Sequence, residues 1–188
     1  MRNFIVAAEL LALGLFATPS TATELAPATR VSILLTTLSY DLNLNSRGDS
    51  LRIGVVSLDG NRTSTAHGTE TYKAFLKAST KRVKGMSLSA ENLNVSDIQG
   101  LKALISTSKI NVLYLSSHMG SLQSAALRLA GQKKILSLCG EAQAIKAGAA
   151  IGVVLRQRKP RILVNLKAAE TQGAKLDARL LRLVEVVD

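Results

Sequence analysis

"LRIGVVSL" (residues 51–58) decides the fold. It is a nearly continuous apolar run of strand length. A strand that faces water on one side alternates, whereas a strand in a parallel sheet covered on both sides does not. Four further runs share its character: "INVLYLSS" (110–117), "KILSLC" (134–139), "AAIGVVLR" (149–156) and "RILVNL" (161–166). "RVKGMSLS" (82–89) is a weaker strand with more polar residues.

Helical patterns fill the spaces. Val31, Leu34, Leu35 and Leu38 form one apolar stripe behind Pro27, which suits a first helical turn. "NLNSRGDS" (43–50) then reads as a turn. In "TETYKAFLKAS" (69–79), Tyr72, Phe75 and Leu76 share a face. Ser96 and Gln99 give a capping-box pattern ahead of Leu101, Leu104 and Ile105. Leu122, Ala125, Ala126 and Leu129 line another helix, stopped by Gly131, and "EAQAIKAG" (141–148) is a short one closed by Gly148. Asn165 can cap a short Ala-rich helix that Gly173 ends. Leu180, Leu183, Val184 and Val187 predict a terminal helix with one buried face. Strands alternating with amphipathic helices imply an α/β chain: a single-domain three-layer α/β/α sandwich. Its sheet is expected to be mostly parallel, with a C-terminal antiparallel hairpin across "QRKP" (157–160).

Residues 1–22, "MRNFIVAAELLALGLFATPSTA", read as a signal peptide. Arg2 gives a positive start, Phe4 to Phe16 is mostly apolar, Pro19 breaks it, and small residues precede cleavage after Ala22. Glu9 opposes insertion, so an ordinary buried N-terminal helix is the alternative. The mature domain is then expected to be residues 23–188, exported, with no integral membrane segment.

The chain has 188 residues and a formal net charge of +11, which favours acidic partners. Most basic residues are scattered, as on solvated helix faces. The one dense run is "RQRKPR" (156–161). There Arg156, Arg158, Lys159 and Arg161 make the best candidate for binding a protein partner, since guanidinium forks suit carboxylates and phosphates. The alternative is a solvated edge that discourages strand-to-strand aggregation. Aromatics are 3% of the chain and no nucleic-acid motif is present, so nucleic acid is not an expected partner.

Catalytic patterns are weak. His67 and His118 are the only histidines, and no metal-ligand spacing accompanies them. Ser117 and His118 are adjacent, which points them apart. Cys139, the single cysteine, ends an apolar strand and reads as a buried thiol. Glu141 starts a helix, where a carboxylate complements the dipole. No catalytic residue, metal or cofactor is expected. Ligands of open parallel sheets bind beyond the carboxyl ends of the strands. The loops there would be Asp59-Gly60-Asn61, Ser117-His118 and Gly140-Glu141, which keeps a small-solute-binding module as the alternative function.

The C-terminal third, with Gly148, Ile151, Val164-Asn165-Leu166, Ala168-Ala169 and Leu180-Leu181-Arg182-Leu183, resembles the signature of YfiR-like (HmsC-like) periplasmic proteins. The middle fits more loosely. "LSYDLNL" (38–44) stands where members often carry Trp-Pro, and the cysteine pairs of some members are absent. The resemblance implies a non-enzymatic periplasmic regulator. Its expected partner is the periplasmic sensor domain of an inner-membrane protein, above all a diguanylate cyclase in cyclic-di-GMP and biofilm control. A homodimer is an alternative assembly.

Overall fold

A strand with no polar side has to be covered twice, and this sheet is. The computed structural model describes residues 24–187, so the expected signal peptide (1–22) lies outside the described residues. The chain runs α1 (Pro27–Leu38), a 3-10 turn (Leu44–Arg47), β1 (Ser50–Leu58), α2 (Arg62–Lys77), β2 (Ser87–Val95) and α3 (Ile98–Ser108). It continues with β3 (Val112–Leu115), α4 (Ser121–Lys133), β4 (Leu136–Cys139), α5 (Ala142–Lys146), β5 (Ile151–Arg156) and β6 (Lys159–Val164). It closes with α6 (Leu166–Thr171), α7 (Ala178–Leu181) and β7 (Glu185–Val186).

The sheet has seven strands in the order β2-β1-β3-β4-β5-β6-β7. All neighbours are parallel except the β5-β6 hairpin. Alternate residues feed two cores. Leu51, Ile53 and Val55 of β1, with Val112 and Tyr114 of β3, face α1, α2 and α6. Val56, Leu113, Leu115 and Cys139 face α3, α4 and α5. This is the expected α/β/α sandwich.

Four details differ from the sequence reading. The terminal helix stops after Leu181, and residues 185–186 pair parallel with Leu163 and Val164 of β6. Leu180 is buried as expected, but Leu183 is 66% exposed. "VEVV" (184–187) is rich in β-branched residues, and the open flank of β6 offered backbone partners, which a helix cannot use. Hence β7, not the hairpin, forms the outermost strand. In the weaker strand region, Val83 and Met86 close a tight turn and β2 proper runs nine residues from Ser87. Its interrupted burial pattern is that of an edge strand. The cap of α3 is Asp97, whose carboxylate accepts from Gly100 N at 2.8 Å; Ser96 does not cap it. The hairpin turn is Gln157-Arg158, both at positive φ (49° and 61°), with Lys159 already in β6.

Asn165 caps α6, accepting from Ala168 N at 2.8 Å, and Gly173 follows the helix at φ 82°. The next side chain in that segment repairs the sheet. β4 and β5 pair only at Leu138–Ile151 and Cys139–Gly152. Beyond that point the buried Gln172 carbonyl accepts from Ser137 N at 2.7 Å and Ser137 Oγ at 2.8 Å, and its amide donates to Gly148 O at 3.1 Å. Ser137 Oγ in turn accepts from Ala150 N at 3.0 Å. Gln172→Leu keeps the volume but strands buried donors and an acceptor. The expected loss of stability is about 3 kcal/mol, measured by urea unfolding. A loss below about 1 kcal/mol would show that the join between β4 and β5 does not depend on this side chain.

Candidate functional site

All loops that leave β1, β3 and β4 emerge at one end of the sheet, where β1 sits between β2 and β3. Connections from its two sides therefore diverge, the arrangement at which open sheets bind ligands. At β1 the Asn61 side chain caps α2, accepting from Ser64 N at 3.1 Å, and donates to His118 O at 3.1 Å. Ser64 Oγ and Ser116 Oγ share a hydrogen bond at 2.9 Å. The loops after β1 and β3 are thus tied to one another, and both Ser64 and Ser116 are buried.

His67 lies one turn further along α2, 9% exposed. Its Nδ1 accepts from Ser117 N at 2.8 Å. A backbone amide only donates, so the neutral ring must carry its proton on Nε2. Nε2 is 3.0 Å from Arg30 Nη1 and 3.4 Å from Glu24 Oε1. Arginine cannot accept, so the first approach sets donor against donor. The Glu24 oxygen lies within reach of both: it accepts from Arg30 Nη2 at 3.0 Å and stands 3.4 Å from His67 Nε2. Burial, then the Arg30 charge, lowers the His67 pKa and keeps the ring neutral; Glu24 and Glu70 oppose the shift and His118 adds to it.

Arg30 itself comes from α1 and is 1% exposed. Its Nη1 also reaches Tyr114 Oη at 3.4 Å, and its Nε has no acceptor among the described residues. Tyr114 is buried, which pushes its pKa up to about 12, so it meets the guanidinium as a neutral phenol. Gly140 makes room: a Cβ there would stand 2.9 Å from both Cζ and Nε of Arg30. Beside this group lies a cavity of about 410 Å³ lined by Arg30, Gly140, Glu141, Leu25, Leu155 and Arg156, among others. Burial raises the Glu141 carboxyl above its ordinary range. Cys139 is buried, its thiol pushed up to about 12 and donating to Glu141 O at 3.4 Å, which leaves no reactive thiolate.

Of the expected strand-end loops, the structure ties Asp59-Gly60-Asn61 to Ser117-His118 and places Gly140-Glu141 against Arg30. The basic run is arranged as follows. Arg156 lines the cavity and pairs with Glu185 of β7. Arg158 forms the turn, and Lys159 and Arg161 stand on β6 beyond the reach of β7. Arg156, Arg158, Lys159 and Arg161 are all exposed. Arg30 and Glu24 were missed by the sequence reading, and His67 was set aside as a metal ligand. The available signal was Arg30 within the apolar stripe of α1.

The chain belongs to the YfiR/HmsC-like family, whose sequence pattern matches residues 33–185. That family is one of periplasmic regulators and not of enzymes. No curated protein matches the chain by sequence. Among solved structures it is similar to an ABC domain from Streptococcus pneumonia in complex with L-Trp (TM-score 0.61, 12% identity, 86% of this chain and 62% of that one). It is also similar to a conserved domain protein from Vibrio cholerae (0.58, 14%, 88% and 61%). A third is the ligand-free, open form of a substrate binding protein with adhesive properties from Clostridium difficile (0.56, 16%, 74% and 55%). At these identities the likeness is one of fold, and the chain spans about three-fifths of the length of those proteins. No helix among the described residues is long and apolar enough to cross a membrane.

The His67 geometry makes stability depend on pH. A second ring proton would face Ser117 N–H, so the folded chain resists protonation that the unfolded chain accepts near pH 6.5. With the folded pKa lowered, this contribution is complete above about pH 6.5 and is lost as pH falls through the folded value. Urea unfolding of the wild type is expected to lose up to about 1.4 kcal/mol per pH unit below that point relative to His67→Asn. Asn keeps an acceptor for Ser117 N without titrating. Parallel pH profiles for the two proteins would exclude the assigned proton position.

Proposed function

We propose that this is an exported, non-enzymatic regulator that docks on the periplasmic sensor domain of an inner-membrane signalling protein and holds it inactive. The observation that carries the reading is family membership over residues 33–185. Within that reading the partner is a diguanylate cyclase, and the output is control of cyclic-di-GMP and biofilm formation. Residues 1–22 are a signal peptide and residues 23–188 the working domain. Repression needs only that the regulator bind the inactive sensor more tightly than the active one.

The docking element in this proposal is the β5-β6 hairpin. Arg156, Lys159 and Arg161 fall on one face of the two strands by register, with Arg158 at the tip. The four are exposed and the chain as a whole is strongly positive, which suits an acidic partner surface. A small-solute-binding module is the second reading, favoured by the cavity at the strand ends.

Capture of the partner from membranes tests the first reading. Arg158→Glu with Lys159→Glu is expected to weaken capture, and more at low than at high salt, because exposed charges are screened within about 10 Å at 0.1 M. Equal loss at every salt concentration, or none, would remove the hairpin from the interface.

A further inference from the structure

The Arg30 group carries a charge that its own surroundings answer only in part. A guanidinium has five N–H donors. Around Arg30 the described acceptors are one phenol oxygen and one oxygen of Glu24. The nearest ring nitrogen, His67 Nε2, is itself a donor by the Ser117 constraint. Two donors from different elements therefore converge on one point, and Nε remains without an acceptor at 1% exposure. A buried charge is costly unless paired, and among the described residues the only carboxylate within salt-bridge distance is on a side chain 68% exposed. Glu24 has no hydrogen-bond partner in the described fold besides this group. Its removal would leave an empty oxyanion position with the donors already aimed.

We infer that Arg30 and His67 form a carboxylate-binding site in which Glu24 is an internal occupant, exchangeable for the carboxylate of a small organic acid with an apolar body. Leu25, Val154 and Leu155 line the adjoining cavity and supply the apolar wall. The volume of about 410 Å³ suits a small molecule. Glu141 lines the same space and opposes an anion there, while Arg156 at the rim favours one. The contrast with Arg47 is instructive. Arg47 also has a free Nε, but its other donors meet Gln172 O, Lys134 O and the fully buried Asp41, so its countercharge cannot leave. The inference deepens the solute-binding reading of the strand ends and does not depend on partner docking.

Benzoate and its neutral isostere benzamide are suitable probes, titrated at constant ionic strength into the protein as the cell processes it. An internal competitor lowers apparent affinity by the fraction of time it occupies the site. Glu24→Ala is therefore expected to bind benzoate roughly fivefold more tightly than wild type, with Glu24→Gln close to Ala. Glu141→Gln is also expected to tighten it. Benzamide should show no such dependence. Nitrogen-15 spectra locate the event: benzoate should move the Arg30 Nε–H and His67 ring signals, identified by their absence in Arg30→Lys and His67→Asn. If Arg30→Lys fails to fold, His67→Asn still supplies one marker and the Glu24 variants the competition. Equal binding of benzoate by wild type and Glu24→Ala, equal response to benzamide, or unmoved Arg30 and His67 signals would each overturn the proposal. None of these outcomes bears on the salt-dependent capture assay, so failure here is distinct from failure of the docking reading.

Discussion

Everything in the fold follows from strands that offer no face to water. Leu51, Ile53 and Val55 point one way and Val56 the other, all fully buried. Two helical layers are therefore obligatory, and right-handed parallel crossovers supply them. The same crossovers gather the carboxyl ends of β1, β3 and β4 at one end, whatever residues the loops contain. Much of the buried polar chemistry collects there, as Ser64, His67, Ser116 and Ser117 do, whereas Ser137 and Gln172 replace ladder bonds missing between β4 and β5.

Arg30 is the largest fully buried side chain among the described residues, and its position depends on that end of the sheet. α1 packs across α2 and β5, so a residue on its buried face near the N-terminus meets the strand ends and not the aliphatic core. There it finds backbone that has turned away after β4, with a glycine at the point of closest approach. A methyl group at residue 140 would displace the guanidinium, and a guanidinium displaced would lose the His67 and Tyr114 neighbours. Gly140 is thus chosen by packing against a charge, not by a turn.

The layers were legible in the sequence because both of their periods are strong: long apolar runs for strands, and i, i+3, i+4 stripes for helices. The C-terminal end misled for a physical reason. Leu180, Leu183, Val184 and Val187 satisfy a helical period, yet Val184, Glu185, Val186 and Val187 are equally suited to a strand, and the tie is broken by unpaired backbone on β6 that no local pattern reveals. Asn165 and Gly173 were readable because caps act locally. The site was readable only as loops. Arg30 is an arginine on an apolar stripe, and nothing near it in sequence states that it will face Tyr114 and His67, which lie 84 and 37 residues away. Glu24 sits beside the expected cleavage point and looks like solvated chain.

The basic hairpin and the Arg30 cavity lie at the same end of the molecule because β5 is parallel to β4 and ends at Arg156. Arg156 belongs to both: it lines the cavity and is held by Glu185 of β7. The strand that the sequence pattern disguised as a helix therefore supplies the carboxylate that fixes this arginine. An exposed ion pair of this kind contributes about 1 kcal/mol at most, so it orients the side chain more than it stabilises the fold. The consequence is geometric. The hairpin proposed as a docking surface and the cavity proposed to take a carboxylate share one residue, Arg156, so a change in its orientation would alter both.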